Sequence, residues 1–108
     1  MRCPETRRMT QIKLKAAAVR SDQEIGKRLV LARLATGLSQ TAYARGAKLN
    51  VSTYNQNENG RSRPDIDNAI KLCDAYNLTL DYIYLGEPSG LPPDLLAAIK
   101  AIRATKRE

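Results

Sequence analysis

Helix start and stop signals divide most of this chain into short segments. Ser21, Ser39 and Asn50 carry side chains that accept a hydrogen bond from a free amide at the start of a helix. Residues that end helices follow the first and third of these segments, at Gly37 and at Asn59-Gly60. No stretch alternates apolar and polar residues over the length of a strand. The chain is therefore predicted to be all-α and built from short helices.

Five helices are predicted between residues 22 and 86, and one more follows near the C-terminus. Ser21 and Glu24, three residues apart, form a capping box for the first helix. With their capping residues, the predicted helices run from Ser21 to about Thr36, from Ser39 to about Ala47, from Asn50 to about Glu58, from Pro64-Asp65 to Asn77, from Thr79 to Leu85 and from Asp94 onward. The predicted regions are a basic N-terminal arm (1–21), a compact five-helix domain (22–86), and a linker with an amphipathic C-terminal helix (87–108).

The charge of the chain is unevenly distributed. The 108 residues carry 18 Lys and Arg against 11 Asp and Glu, a net charge of +7. Residues 1–21 contribute +5 and residues 22–63 contribute +4, whereas residues 64–86 carry −3 and residues 87–108 carry +1. A fold with one positive and one negative end suits approach to a polyanion in one orientation. The pattern favours nucleic acid or a membrane surface as the partner.

The residues that the chain lacks exclude several function classes. It contains no His, which removes the imidazole base and the His metal ligand, and it has no glycine-rich phosphate loop. Cys3 and Cys73 form no CxxC pair, and the longest apolar run is residues 95–99, far short of the ~20 that span a membrane. With no Phe or Trp, the core is predicted to be aliphatic, with little room for a deep cavity. We expect no enzyme, cofactor, metal site or membrane segment, in a protein of the reducing cytoplasm.

Two short helices separated by a tight turn stand second and third in the predicted set. The segment from Leu38-Ser39-Gln40 to Glu58-Asn59-Gly60, with Pro64 and Leu80-Asp81, resembles the Cro/repressor-type (XRE-like) helix-turn-helix family of phage and bacterial regulators. The resemblance covers residues 22–86 and implies a repressor-like domain that binds double-stranded DNA. It also implies an ion pair between Arg33 and Glu58 that is mainly structural. The positions that match buried residues of the family are Tyr43, Ala44, Ala47, Leu49 and Tyr54.

The third predicted helix is narrow enough to enter a major groove about 12 Å wide. Side chains near its start and one turn further on reach base edges, and the amides of Asn55 and Gln56 can pair with adenine. In the family, the residue that matches Gln40 bonds a phosphate and sometimes adds a base contact. The predicted base contacts are Gln40, Val51, Ser52, Asn55 and Gln56. The predicted phosphate contacts are Thr53, Asn59, Arg61 and Arg63.

Two positions depart from the family pattern. The turn position that is usually Gly is Lys48. Either Lys48 adopts a left-handed conformation at a cost of roughly 1 kcal/mol, or Gly46 makes the bend and the second helix ends early. Asn57 stands where the family places an apolar residue, and a buried amide without partners costs ~1–3 kcal/mol. A bond from Asn57 to the backbone at the end of the helix would offset that cost.

These features predict a sequence-specific transcriptional regulator, a repressor that binds an inverted-repeat operator as a homodimer. One helix reads only a few base pairs, so two copies about 34 Å apart are needed. One candidate dimer surface is the C-terminal helix, whose alternative is to pack on its own domain. The other is formed by Tyr82, Ile83, Tyr84 and Leu85.

An antitoxin-type or partner-binding protein is the alternative function. Such a protein binds DNA together with a regulatory protein partner, which the N-terminal arm or the C-terminal helix would hold. A helix-turn-helix that serves protein contacts alone is a further possibility. The length of 108 residues leads us to expect no separate effector domain and no small-molecule sensor.

Overall fold

The computed structural model describes residues 20–106 of the chain, and within them every regular element is helical. The elements are α1 (Asp22–Thr36), α2 (Gln40–Gly46), α3 (Val51–Glu58), α4 (Ile66–Tyr76), a π-helical turn π1 (Asp81–Leu85) and α5 (Pro93–Lys106). The predicted all-α class and helix order are therefore confirmed. The predicted basic arm, residues 1–21, lies outside the described residues apart from its last two positions.

Four of the helices begin where their capping side chains predict. Ser21, Ser39, Asn50 and Asp65 each accept a hydrogen bond from the backbone N–H three residues further on, at distances between 2.8 and 3.2 Å. These bonds satisfy amides that have no partner inside the helix. The starts of α1 to α4 are thus set by interactions within single turns of the chain.

The two C-terminal elements differ in detail from the prediction. Thr79 Oγ1 accepts from the backbone N–H of Tyr82 at 3.0 Å, as a cap would, but the segment that follows is π-helical rather than α-helical. The last helix begins at Pro93, two residues before Leu95, which a cap at Asp94 would make the first helical residue, and Asp94 lies in the first turn instead of capping it. Proline suits the first helical position because it has no N–H to satisfy there.

The turn between α2 and α3 is made by Lys48. This residue has φ +62°, in the left-handed region, whereas Gly46 remains the last residue of α2. Of the two alternatives raised by the sequence, the left-handed lysine is the one observed. The Lys48 side chain is exposed, so the cost of its conformation is limited to local backbone strain.

The core lies where α1, α2, α3 and α4 meet, and it is partly aromatic. Ile25, Leu29 and Leu72 are almost completely buried, as the aliphatic prediction requires. Tyr43 and Tyr54 are equally buried, with ring centroids 5.5 Å apart. The prediction of an aliphatic core is therefore only partly right, because tyrosine rings fill the space between the helices.

The C-terminal helix α5 packs back on α1. Leu91, just before α5, and Ile99, within it, belong to the same hydrophobic core as the buried residues of the preceding helices. Tyr82 and Ile83 are also buried, 5% and 0% exposed, so they belong to the core and are not available to a dimer surface. Of that predicted surface, only Leu85 is largely exposed. None of the described helices is long and apolar enough to cross a membrane.

Candidate nucleic-acid interface

Helix α3 turns one polar face outward. Tyr54, Asn57 and Glu58 are buried and define the inner side of the helix. On the opposite side, Ser52, Thr53 and Gln56 are exposed, and Val51 and Asn55 are half-buried. All the base-contact residues predicted on this helix therefore share a face that another molecule can reach.

An ion pair between Arg33 and Glu58 joins α1 to α3. Arg33 Nε donates to Glu58 Oε2 at 2.7 Å and Arg33 Nη2 donates to Oε1 at 3.3 Å. The hydrogen bond to Glu58 raises the pKa of the Arg33 guanidinium above its usual value. The Glu58 side chain is only 2% exposed, so the bonds to Arg33 offset the cost of burying this carboxylate. Arg33 Nη1 also donates to the Leu38 carbonyl at 3.1 Å, which ties the start of α2 to the same pair.

Three amide side chains extend from this carboxylate toward the open face. Gln40 Nε2 donates to Glu58 Oε1 at 2.8 Å, and Gln40 Oε1 accepts from Asn55 Nδ2 at 2.9 Å. Asn55 Oδ1 in turn accepts from Asn59 Nδ2 at 2.7 Å. We call Gln40, Asn55 and Asn59 the amide relay. The structure thus brings together two residues predicted to contact bases and one predicted to contact phosphate.

Asn57 is buried and bonded at the C-terminal end of α3. It is 2% exposed, and its Nδ2 donates to both the carbonyl and the hydroxyl of Ser62, each at 3.1 Å. The bonds to Ser62 offset the cost of placing an amide where the family has an apolar side chain. The loop after α3 is therefore held to the inner side of the helix.

The two arginines that follow α3 occupy different surroundings. Arg61 is exposed. Arg63 Nε donates to Asp22 Oδ1 at 2.7 Å and Arg63 Nη2 donates to the Arg20 carbonyl at 2.8 Å. The side chain of Arg63 is 50% exposed, so its guanidinium is held near the start of α1 while part of it faces solvent. The sequence alone contained no sign of this contact, because 41 residues separate the partners.

Several residues that shape the interface were not predicted as part of it. Ser62 anchors Asn57. The only feature of the sequence that pointed to this contact is Asn57 itself, a polar residue where the family has an apolar one. Arg45 and Lys48 are exposed beside the turn that leads into α3, and both add positive charge there. Burial raises the pKa of the Tyr54 hydroxyl, at the inner side of α3, well above its usual value.

The family comparison agrees with this geometry. The sequence profile of the family described as helix-turn-helix matches residues 29–83, just over half of the chain. The chain belongs to the Cro/repressor-type helix-turn-helix family. This is a family of DNA-binding regulatory domains and not of enzymes, so the protein is a DNA-binding helix-turn-helix regulator. The matched region includes α2, the Lys48 turn and α3, and it ends before α5. No curated protein and no solved structure shows significant similarity to the chain.

Proposed function

We propose that this helix-turn-helix protein is a sequence-specific transcriptional repressor that binds an inverted-repeat operator as a homodimer. The observation that carries the proposal is the open polar face of α3. The opposite, inner side of this helix is anchored by the buried Arg33–Glu58 pair. A rigid helix that presents several hydrogen-bonding side chains on one face is suited to reading base edges in the major groove. Anchoring lowers the entropy lost when these side chains bind.

In the proposed complex, the open face of α3 reads bases and the residues at its edges bind phosphates. The base contacts are Gln40, Val51, Ser52, Asn55 and Gln56. The phosphate contacts are Thr53, Asn59, Arg61 and Arg63. Arg61 is exposed, so its guanidinium is accessible to a phosphate. Arg63 reaches a phosphate only from the position that Asp22 sets, because two of its nitrogens already donate to the protein.

A dimer follows from the amount of DNA that one copy can read. A single α3 contacts only a few base pairs, which is too little to select one site in a genome. Two copies related by a two-fold axis place their recognition helices about 34 Å apart and read an inverted repeat. Repression then needs no further activity, because a dimer on a promoter occludes it.

Selection of bound duplexes from random DNA tests the proposal. The purified protein is expected to enrich an inverted repeat with half-sites about one helical turn apart. If the protein binds DNA but the selected duplexes share no enriched sequence, sequence-specific reading is contradicted. That outcome would favour the alternative function, in which the protein needs a protein partner to select its site. Sedimentation of the complex with an enriched duplex reports two protein copies if the dimer is correct.

Two variants separate base reading from phosphate binding. Gln56→Ala is expected to change the preference at one base position and to cost ~1–3 kcal/mol there. Arg61→Ala is expected to weaken binding to all duplexes alike and to lower the slope of log K against log salt by about one. If Gln56→Ala leaves the selected motif unchanged, Gln56 does not read bases. If Arg61→Ala leaves the salt slope unchanged, Arg61 does not contact phosphate.

A further inference from the structure

The Glu58 carboxylate gives the amide relay a single direction. An ionised carboxylate only accepts hydrogen bonds, so Gln40 must face it with Nε2 and not with Oε1. Gln40 Oε1 is then the atom left to meet Asn55, and it is an acceptor that requires the Asn55 Nδ2 donor. Asn55 Oδ1 is left to accept from Asn59. The orientation of the Asn55 amide therefore follows from the buried charge, two residues away along the relay.

The relay also limits what Asn55 can offer to another molecule. A side-chain amide has two N–H donors and one oxygen with two lone pairs. The bond to Gln40 uses one donor of Asn55, and the bond from Asn59 uses one lone pair. Asn55, which is half-buried on the open face of α3, is left with one donor and one acceptor.

We propose that Gln40 and Glu58 are positioning residues that make Asn55 select adenine over guanine. In the major groove adenine presents the N7 acceptor and the N6 donor, which match one donor and one acceptor. Guanine presents two acceptors, N7 and O6, which only an amide with both N–H groups available can satisfy. With one N–H held by Gln40, Asn55 cannot satisfy both. The inference rests on the proposed base reading by α3 and adds which residues set the choice of purine.

The first step of the test locates the base that Asn55 contacts. Selection from random duplex DNA gives the site of the full-length protein, and the same selection with Asn55→Ala shows which position loses its preference. That position is expected to be adenine. Equilibrium binding is then measured on two duplexes that differ only there, with adenine in one and guanine in the other. The wild-type protein is expected to prefer adenine by about 10-fold or more, the discrimination typical of a paired base contact.

The second step breaks the relay without changing Asn55. Gln40→Leu keeps a similar side-chain volume but has no acceptor for Asn55 Nδ2, so the adenine preference is expected to fall to about 3-fold or less. Glu58→Gln, which can donate to Gln40 and thus allows the relay to reverse, is expected to lower the same ratio. Arg61→Ala is the control, because losing a phosphate contact weakens both duplexes alike and leaves the ratio unchanged. Circular dichroism and thermal melting verify that each variant is folded.

The outcomes are distinct. A folded Gln40→Leu protein that keeps the wild-type ratio would overturn the inference, as would a wild-type preference for guanine at the Asn55 position. If Asn55→Ala alters no position of an otherwise enriched motif, the inference fails while sequence-specific binding stands. If the wild-type protein enriches no motif, the proposed function and the inference fail together.

Discussion

Replacing Tyr43 by Phe is expected to stabilise the protein. The Tyr43 side chain is completely buried, and its hydroxyl has no hydrogen-bond partner among the described residues. An unsatisfied buried polar group costs about 1–3 kcal/mol. Phe keeps the ring in place, stacked on Tyr76 with centroids 4.0 Å apart. We expect Tyr43→Phe to raise the free energy of unfolding by about 1 kcal/mol at pH 7, which raises Tm by roughly 4 °C for a domain of this size.

The same substitution changes the response to alkali. Burial raises the pKa of Tyr43 above its ordinary value, whereas in the unfolded chain this tyrosine ionises near pH 10. Above pH 10 the unfolded state therefore binds fewer protons than the folded state, and stability falls as pH rises. Each such residue removes about 1.4 kcal/mol per pH unit until its folded pKa is reached. Tyr54 behaves in the same way, so Tyr43→Phe removes only part of the loss.

Urea unfolding at several pH values measures both effects. Between pH 10.5 and 12, the stability of Tyr43→Phe is expected to fall less steeply than that of the wild type, by about 1.4 kcal/mol per pH unit. At pH 7, Tyr84→Phe is the matched control: the Tyr84 hydroxyl donates to the Pro64 carbonyl at 2.6 Å, so its removal is expected to destabilise by about 1 kcal/mol. A Tyr43→Phe protein that is less stable at pH 7, or that has the wild-type slope, would refute the reasoning.

Four further substitutions follow from the geometry, each measured by urea unfolding. Arg33→Met leaves the Glu58 carboxylate buried without its cation and is expected to destabilise by about 3–5 kcal/mol; a loss below 1 kcal/mol would contradict a stabilising role for the ion pair. Gly26→Ala places a Cβ 2.6 Å from the Glu58 carbonyl and is expected to cost about 1–3 kcal/mol by forcing α1 from α3. At Gly37 an added Cβ would meet no other atom, but φ is +78°. Gly37→Ala is therefore expected to lower the free energy of unfolding by only about 1 kcal/mol, through backbone strain. Lys48→Gly relieves left-handed strain and is expected to stabilise by up to about 1 kcal/mol, whereas a loss would show that the lysine side chain is needed.

The features that the sequence predicted well depend on interactions within one helical turn. A cap such as Ser39 or Asn50 bonds a backbone amide three residues away, so its effect is visible in the local sequence. The inner and outer sides of α3 follow from the same spacing, because side chains three or four residues apart share a face. The order of the helices and the residues on the open face of α3 were therefore predictable.

The contacts that were not predictable join residues far apart in sequence. Gln40 and Asn55 meet only because α2 packs against α3. Arg63, in the loop after α3, bonds Asp22 at the start of α1. The sequence did not decide whether α5 packs on α1 of its own chain or against a second copy in a dimer. An apolar helix face does not specify whether its partner lies in the same chain or in another. In each case the local sequence indicated which residue is involved, whereas tertiary packing determines which partner it contacts.

The polar residue at the inner side of α3 stabilises the pose of the helix instead of loosening it. An apolar side chain at position 57 would pack against the core but would leave the following loop unattached. Asn57 instead bonds Ser62, so the end of α3 is held from within the protein. The helix is held a second time at Glu58, which bonds Gln40 and forms the ion pair with Arg33. Because the bond to Ser62 and the ion pair to Arg33 act on the buried residues Asn57 and Glu58, they fix the pose of α3 and leave Ser52, Thr53 and Gln56 exposed on its open face.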